Sequence, residues 1–574
     1  MPGPLPLEQK DPPVFFPKST NTQVAAANFL KHWPWIAIAI IVLFGAAIRI
    51  RLLQIPLERD EGEFAYMGQL MLQGIPPYLM AYNMKMPGIY AAYALLMAVF
   101  GQTTGGIHIG LLLVNGTAVV LLFILARRIF DNIVAVVAAA SYALLSLSPS
   151  VLGTSAHATQ FIVPLFLGGT LLLLRALDSD SHSLLFISGL FYGLAFLIKQ
   201  HAIFFVAFAL MYYAYISIRK APFDSKKIAS GSALLLLAAA IPFGISCALL
   251  YAAGVFKAFW FWTFAYGAEY VTENSLSKAP ALLGTKVPMV IQYWAGIWLI
   301  AGIGFTSVLW DRTMRSRWAF ITGLTLFSFL TICPGFYFRN HYFVTMLPVV
   351  ALLAGIATNS LMRLVPERGI VRGAKALPLL MIAAALIYPI FRYREFFFTA
   401  APVRASQMMY GVSPFPDSMK VAAYIKKHTT RDDRIAVFGS EPQICFYAGR
   451  KSATGYIYMY PLMEPQIFSG KMQSDVIREI ENAQPKFAVR VNVPNSWVRR
   501  TDSDPTIFHW ADKYFGSNYR IAGFVDIYPD GHSEALWDDD ARNTRSKSQF
   551  NIQVLERIAG LPQAAEHRAL CRTP

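Results

Sequence analysis

The feature that most constrains this chain is a series of apolar segments, each long enough to cross a lipid bilayer. A helix needs ~20 mostly apolar residues to span the hydrocarbon core, and by that measure we predict roughly eleven spans. They lie at 34–52, 109–127, 132–149, 158–176, 183–199, 201–218, 229–252, 288–309, 317–333, 341–361 and 376–391. This pattern predicts a mostly α-helical, polytopic membrane protein, because a helix satisfies its own backbone hydrogen bonds in lipid.

The composition agrees with a membrane protein. Hydrophobic residues make up 55% of the 574 residues and charged residues only 15%, and the mean hydropathy is +0.43. These values exclude an ordinary soluble globular protein. The formal net charge of +16 comes from Lys and Arg gathered in short loops, where they indicate orientation and contact with anionic lipid. We therefore expect membrane lipids as partners, and no nucleic acid.

The basic loops also predict the orientation of the chain. Lys and Arg are concentrated in every second loop, starting with "ARRIF" at 126–130, so the positive-inside rule puts these loops and the N-terminal segment 1–33 in the cytoplasm. The apolar stretch 86–101 is short, and a span there would reverse every later loop, so we interpret it as interfacial or re-entrant. The first outer loop then runs over 53–108, and the chain after 391 lies outside the inner (plasma) membrane.

A change of pattern after residue 400 predicts a separate unit beyond the membrane. Helix-like segments such as "DSMKVAAYIKKHT" alternate there with strand-like segments such as "RIAVFG", which is typical of a small α/β domain. We predict a membrane domain at 34–391, an extracytoplasmic α/β domain at 392–540 and a polar tail at 541–574.

Three carboxylates crowd the start of the outer loop, in the stretch "RDEGEFAY". Asp60 followed by Glu63 matches a helix-capping pattern, which gives these two acids a structural explanation. Capping does not account for Glu61, nor for the position of the cluster beside the bilayer, where unpaired charge is costly. We therefore expect a carboxylate here to act as a general base on an acceptor hydroxyl.

Basic side chains accompany these acids. Arg59 and Lys85 lie in the same loop and would lower the pKa of a neighbouring carboxylate. Lys199 and Arg339 lie at the predicted outer ends of spans. Each has an ordinary explanation on its own, such as a lysine that reaches the headgroup region. Taken together, Lys85, Lys199 and Arg339 predict a phosphate site, since fixed cations stabilise the charge on a departing phosphate.

The outer loop resembles that of a known family. The stretch "RDEGEFAYMGQLMLQGIPPYLMAYNMKMPGIYAAYALLMAVFG", with "ARRIF", "GLAFLIKQ" and "HYFVTMLP" further on, resembles the protein O-mannosyltransferase superfamily, whose bacterial members include the aminoarabinose transferase that acts on lipid A. The resemblance covers the chain to about residue 390. It implies the GT-C fold, a polyprenyl-phosphate-linked sugar donor, and an inverting transfer on the extracytoplasmic side.

The same resemblance implies roles for individual residues. Asp60 takes the catalytic acidic position, with Glu61 beside it, and Lys85 and Lys199 match contacts to the donor phosphate. The full predicted substrate-binding set is Lys85, Lys199, Arg339, Tyr342, His157, Arg59 and Glu63. His157 departs from the family pattern, because relatives often carry an acid there, and we expect no second carboxylate role at that position.

Two other classes of function stay open. The chain could transport a polyprenyl-phosphate lipid or glycolipid with the same cations, or it could be a noncatalytic scaffold or sensor. Polar clusters at outer helix ends and the lack of an internal sequence repeat favour a glycosyltransferase over a transporter. The sugar (hexosyl or pentosyl) and the acceptor (lipid, protein or glycan) are open. No ligand spacing singles out a metal site, although a divalent cation could assist.

Overall fold

The protein is mostly helical, with one small sheet near its C-terminus. A computed structural model describes residues 21–220, 222–366 and 370–558. Residues 1–20 of the predicted N-terminal segment and residues 559–574 of the predicted tail therefore lie outside the described part. The helices before residue 400 are α1 Asn21–Arg51, α2 Arg59–Leu72, α3 Pro87–Phe100, α4 Thr104–Ile129, α5 Asn132–Leu145, α6 Ala158–Ser179, α7 His182–Ile198, α8 Ile203–Arg219, α9 Ser225–Ala252, α10 Phe256–Trp260, α11 Gly267–Thr272, α12 Ala279–Ile291, α13 Ala295–Trp310, α14 Arg312–Arg315, α15 Trp318–Leu330, α16 Leu347–Leu364 and α17 Leu377–Arg392.

Among the described residues, seven helices are long and apolar enough to cross a membrane. They are His32–Arg51, Thr104–Ile129, Ala158–Ser179, Gln200–Arg219, Ser225–Ala252, Asn340–Leu364 and Gly373–Arg392. An eighth span results if α12 and α13, which meet at a bend of 117°, count as one. The three remaining predicted spans coincide with the shorter apolar helices α5, α7 and α15. The chain is thus a multi-pass membrane protein, and long apolar runs account for its architecture.

Two of these helices form the centre of the membrane part. The apolar window of Asn340–Leu364 is 89% buried inside the protein and that of Ala158–Ser179 is 78% buried, against 22% for Ser225–Ala252. The first two therefore pack among other helices, whereas the last presents its apolar surface to lipid. The residues at the start of each central helix face the polar site described below.

The predicted first outer loop, residues 53–108, folds into two short helices, α2 and α3. The 14 residues of α3 are too few for a span, and the helix packs against α2, α4 and α7. Gly68 of α2 makes this packing close, because an added Cβ would come within 2.9 Å of the backbone nitrogen of Ala94. The loop is thereby held against the helices, and α2 is fixed in place.

The C-terminal part is an α/β unit built on a mixed sheet of six strands. Its elements are α18 Pro402–Tyr410, α19 Phe415–His428, β1 Arg434–Phe438, α20 Gln443–Ala448, β2 Lys451–Ser452, α21 Tyr460–Met463, α22 Ser469–Ala483, β3 Phe487–Asn492, α23 Thr506–Asn518, β4 Tyr519–Ile527, β5 Ser533–Trp537, α24 Asp538–Arg542 and β6 Phe550–Arg557. The strand order is β2-β1-β3-β6-β4-β5. β1 pairs in parallel with β2 and β3, and the other neighbours are antiparallel.

The strand β6 corrects one prediction. Residues 541–574 were expected to form a polar tail, yet residues 550–557 form a strand between β3 and β4. Ile552 and Val554 in "FNIQVLER" are fully buried. Asn551 and Gln553 alternate with the apolar residues of this segment, as in a half-buried strand. The alternation lowers the mean hydropathy of the segment, so hydropathy alone suggests a polar tail. The sheet therefore extends past the predicted boundary at 540, and the boundary at 391 stays a prediction.

Candidate active site

A polar cavity of about 300 Å³ lies where the outer loop, the central helices and the C-terminal unit meet. Its charged and aromatic lining includes Asp60, Lys85, His157, Arg339, Tyr458 and Glu464. A smaller cavity of about 10 Å³ adjoins it, and Asp60 and Lys85 line both. The second cavity adds Lys199 to the lining. The structure thus brings together predicted residues that are more than 200 positions apart in the sequence.

The local geometry of α2 places Asp60 in the cavity. Glu58 caps the helix: its carboxylate accepts from the backbone nitrogen of Glu61 at 2.9 Å, and the Glu61 carboxylate accepts from the backbone nitrogen of Glu58 at 3.3 Å. This capping box corrects the expectation that Asp60 and Glu63 form it. The helix starts at Arg59 rather than after Asp60, so the side chain of Asp60 is free to face the cavity.

Asp60 is the most accessible acid of the cluster, with 13% of its side chain exposed. Its Oδ1 accepts a hydrogen bond of 2.8 Å from the hydroxyl of Tyr458 and lies 3.8 Å from Nζ of Lys85. Its Oδ2 lies 3.7 Å from Nδ1 of His157 and 4.0 Å from Nε2 of His341. Burial opposes ionisation, but Lys85 and the two histidines outweigh it and hold the pKa of Asp60 well below its usual value.

Glu61 is placed differently from Asp60. It is fully buried and does not line the cavity. Its Oε1 accepts from the backbone nitrogen of Ala156 at 2.6 Å and pairs with Nε2 of His108 at 3.0 Å, and its Oε2 belongs to the capping box. With both oxygens occupied, Glu61 anchors α2 to the neighbouring helices, and the structure does not bring it to the reacting position.

Glu63 is also fully buried and lies outside both cavities. Its carboxylate accepts hydrogen bonds from Asn83 at 2.7 Å and from the hydroxyl of Tyr90 at 2.8 Å. Burial raises its pKa to about 8, although Lys85 opposes the shift. Glu63 therefore holds the loop segment that carries Lys85 rather than facing a ligand.

Arg59 lines the cavity but is fully engaged by the C-terminal unit. It pairs with the buried carboxylate of Glu441 at 2.5 Å and donates to the carbonyl of Ser440 and the hydroxyl of Tyr460, each at 2.5 Å. Its guanidinium also lies over the ring of Phe415. These contacts satisfy the charge, so Arg59 joins α2 to the sheet.

Two predicted cations are less well compensated. Lys199 is 6% exposed, and its Nζ lies 4.0 Å from the ring centroid of Tyr342; no acid pairs with it among the described residues. Arg339 is exposed to the cavity and donates to the hydroxyl of Tyr270 at 3.3 Å. Such cations can bind a phosphate.

His157 occupies the N-cap position of α6, but its side chain makes no capping hydrogen bond. Its ring stacks on that of His341, with the ring centroids 4.2 Å apart and the ring planes at 11°. It is 2% exposed. Neither of its ring nitrogens has a hydrogen-bond partner in the described part of the chain. Together with Asp60, these two histidines form a group whose ligand atoms all lie within 4.8 Å of one another, close enough to hold a metal ion.

Several cavity residues were not predicted from the sequence. Tyr458 and Glu464 come from the C-terminal unit, Tyr266 and Tyr270 from the aromatic stretch 259–270, and Lys286 from α12. Tyr266 donates to Glu464 at 2.6 Å, which links that stretch to the C-terminal unit. No local pattern marks these residues. Only the clustering of tyrosines in "YIYMY" and "FWFWTFAYGAEY" could have drawn attention to them.

Comparison with known proteins agrees with this architecture. Residues 84–245 match the family model described as dolichyl-phosphate-mannose-protein mannosyltransferase, a stretch that contains Lys85, His157 and Lys199. No protein of curated function matches the chain in sequence.

Solved structures share the fold at low sequence identity. ArnT from Cupriavidus metallidurans, bound to undecaprenyl phosphate, is 15% identical, with a TM-score of 0.56 over 92% of this chain and 98% of that one. The Archaeoglobus fulgidus oligosaccharyltransferase, tethered with an acceptor peptide, is 13% identical, with a TM-score of 0.52 over 89% of this chain and 75% of that one. The chain therefore has the GT-C fold, and its predicted resemblance to the superfamily of the protein O-mannosyltransferases and aminoarabinose transferases is confirmed.

Proposed function

We propose that this protein is an integral membrane glycosyltransferase that moves a sugar from a polyprenyl-phosphate-linked donor to an acceptor hydroxyl. The reaction takes place on the extracytoplasmic side of the inner membrane, with inversion at the anomeric carbon and Asp60 as the general base. The observation that carries this proposal is the position of Asp60: an ionised carboxylate that faces a cavity and lies 3.8 Å from Lys85, with the unpaired Lys199 in the adjoining cavity.

The donor phosphate would bind at Lys85 and Lys199. Lys199 is buried without an acid partner in the described part, and a buried unpaired charge is costly unless a ligand compensates it. The apolar surfaces of the membrane helices give a polyprenyl chain an environment like lipid. The likeness to a structure that holds undecaprenyl phosphate supports a lipid-carried donor.

The transfer needs one displacement. The acceptor oxygen forms a bond to the anomeric carbon while the bond from that carbon to the phosphate oxygen breaks, and the phosphate leaves with the electron pair towards Lys85 and Lys199. The acceptor proton passes to Asp60. A single displacement inverts the configuration, and one carboxylate suffices because phosphate is a good leaving group that needs no acid.

Donor binding would also tune the base. In the free protein the charge of Lys85 holds the pKa of Asp60 low, which makes Asp60 a weak base. A phosphate bound to Lys85 neutralises much of that charge, so the pKa of Asp60 rises when the donor is in place. The carboxylate then accepts a proton more readily at the moment when the acceptor attacks.

The test is transfer of a labelled sugar from a polyprenyl-phosphate donor in membranes that contain the purified protein. Asp60→Asn should lower transfer by ~10²–10⁴-fold, the range for loss of a general base, while the lipid is still bound. Asp432→Asn, which changes an exposed acid of the C-terminal unit, is the matched control. The configuration of the product at the anomeric carbon tests inversion. Transfer at the normal rate by Asp60→Asn would remove the role assigned to Asp60, and lipid movement without product would favour a transporter.

A further inference from the structure

The two lysines of the proposed phosphate site both lie outside regular helices. Lys85 lies in the loop between α2 and α3, and Lys199 lies in the turn that follows α7. The spacing of the lysines therefore depends on contacts between this loop and this turn. We propose that Gln200 is a positioning residue which, together with Gly88, sets that spacing and thereby the affinity for the donor phosphate. The inference rests on the proposed function, because that function assigns the two lysines to the phosphate.

A hydrogen bond joins the loop to the turn. Nε2 of Gln200 donates to the backbone carbonyl of Met84 at 3.0 Å. Met84 directly precedes Lys85, and Gln200 directly follows Lys199. A shift of the backbone at either end of this bond therefore moves the adjoining lysine.

A close backbone contact supports the same junction. Gly88, in the first turn of α3, packs against the backbone carbonyl of Leu197 near the end of α7, and an added Cβ would clash with that carbonyl. Gly88 follows Lys85 by three residues, and Leu197 precedes Lys199 by two. The hydrogen bond and the glycine contact thus hold the two segments together on both sides of the lysines.

The loop that carries Lys85 is also held from within. The hydroxyl of Tyr78 donates to the carbonyl of Lys85 at 2.6 Å, and the side-chain oxygen of Asn83 accepts from the backbone nitrogen of Met84 at 2.7 Å. These bonds fix the shape of the loop and do not reach the turn. The hydrogen bond of Gln200 therefore relates the fixed loop to the turn.

The ammonium groups need such a frame because they carry like charges. Both lysines line the smaller of the two cavities, and Gln200 lines it too. Nζ of Lys85 lies 5.8 Å from the ring centroid of Phe64, and Nζ of Lys199 lies 4.0 Å from that of Tyr342. Like charges repel, so two flexible lysines on unconnected segments would move apart in the absence of a phosphate. Groups that are already in place lose less affinity to ordering when the phosphate binds.

A purely structural role for Gln200 is the alternative. In that case loss of the hydrogen bond would lower thermal stability, and the folded protein would bind the lipid as before. A positioning role predicts weaker binding by a protein that is still folded. The same phosphate is bound before and during transfer, so a looser spacing of the lysines raises the KM for the donor and leaves kcat nearly unchanged.

The experiment measures retention of undecaprenyl phosphate by the full-length protein, with native mass spectrometry in detergent over a range of lipid concentrations. Gln200→Leu removes the hydrogen bond and keeps the approximate size of the side chain. Its affinity for the lipid should fall by about two- to tenfold, the range for one hydrogen bond. Gln73→Leu, which changes an exposed glutamine of the outer loop, is the matched control and should retain the lipid as the wild type does.

Gly88→Ala tests the same junction by a different route. The added methyl group forces the loop away from the end of α7, so affinity should fall by at least as much as in Gln200→Leu. Gly45→Ala is the control, because an added Cβ at that position of α1 meets open space. In a transfer assay, Gln200→Leu should raise the KM for the donor by the same factor as its loss of affinity, while kcat changes by less than about twofold.

Thermal unfolding and circular dichroism check that each variant is folded. Unchanged retention by both Gln200→Leu and Gly88→Ala, while Lys85→Ala and Lys199→Ala lose the lipid, overturns the positioning role and leaves the proposed function standing. Lower thermal stability with unchanged retention also overturns it, because Gln200 would then serve the fold alone. If the wild type retains no lipid, the phosphate site of the proposed function fails, and this inference fails with it.

Discussion

The two walls of the cavity differ in how far their buried charges are compensated. On the side of the C-terminal unit, Arg59 is paired with Glu441 at 2.5 Å and donates to two further oxygens. On the side of the membrane helices, Lys199 is equally buried but has only the face of Tyr342. Satisfied charges hold a structure together, whereas a buried charge without a partner is retained at a cost in stability and indicates a ligand.

The largest effect is expected for the satisfied charge. Arg59→Ala leaves Glu441 buried and uncompensated, so the free energy of unfolding should fall by ~3–5 kcal/mol. Thermal unfolding in detergent measures this change, with Arg520→Ala, an exposed arginine paired with Glu556, as the control. If Arg59→Ala were as stable as the control, the C-terminal wall would not be held by this pair.

Glu63 tests whether hydrogen bonds alone can compensate a buried acid. Its folded pKa of about 8 lies above the unfolded value of 4.5, so its contribution to stability is complete below pH ~4.5 and is lost as pH rises towards 8. The two pKa values differ by 8 − 4.5 = 3.5 units, and one unit corresponds to about 1.4 kcal/mol. With Glu63 half ionised at pH 8, the loss of stability by that pH is about 4 kcal/mol.

Glu63→Gln tests this pH dependence, because glutamine stays neutral at every pH. It should equal the wild type in thermal stability near pH 5 and exceed it near pH 8. The exposed-acid variant Glu395→Gln should leave the pH dependence unchanged. A wild type and Glu63→Gln with parallel pH profiles would show that Asn83 and Tyr90 already keep Glu63 ionised at low cost.

Lys199 should behave in the opposite way to Arg59. Lys199→Met removes an unpaired buried charge and keeps the shape of the side chain, so stability should be unchanged or should rise by about 1 kcal/mol. Thermal unfolding of Lys199→Met beside Lys226→Met, an exposed lysine, tests this directly. A large loss of stability in Lys199→Met would mean that Lys199 has a structural role like that of Arg59.

An effect on the rate of transfer rather than on stability is expected for Tyr458, which contacts Asp60 across the cavity. Tyr458→Phe removes the hydroxyl that donates to Oδ1 of Asp60 at 2.8 Å. A hydrogen bond to a charged group contributes ~1.5–3 kcal/mol, so kcat should fall by ~10- to 100-fold. The KM for the lipid donor should not change, because Tyr458 orients the base and does not contact the phosphate cations. Tyr388→Phe, on an exposed face of α17, is the control, and a change in KM alone would contradict the positioning role.

How far the sequence predicts this molecule depends on the range of the interactions. Long apolar runs identify the membrane helices, because lipid makes each helix satisfy its own backbone. The resemblance to the family singled out Asp60, Lys85 and Lys199, with His157 as a departure from its pattern, and all four line the adjoining cavities.

The rest depends on contacts that no local pattern reveals. Tyr458 is 398 positions from Asp60, and nothing near it in the sequence marks it as a site residue. The capping box was predicted two residues too late, because Glu58 is as good an acceptor as Asp60 and only the folded loop selects one. Glu61 looked catalytic by its neighbours, yet its partners Ala156 and His108 come from elsewhere in the chain.

The most direct test of the central claim is native mass spectrometry of the purified protein incubated with polyprenyl phosphate. Lys85 and Lys199 should bind the phosphate, so retention of the lipid should fall by roughly tenfold or more in Lys85→Ala and in Lys199→Ala, since charge-assisted bonds to phosphate are strong. Lys226→Ala should retain the lipid as the wild type does. Equal retention by all four proteins, each shown to be folded, would contradict the account and would return the cations of this cavity to an unexplained state.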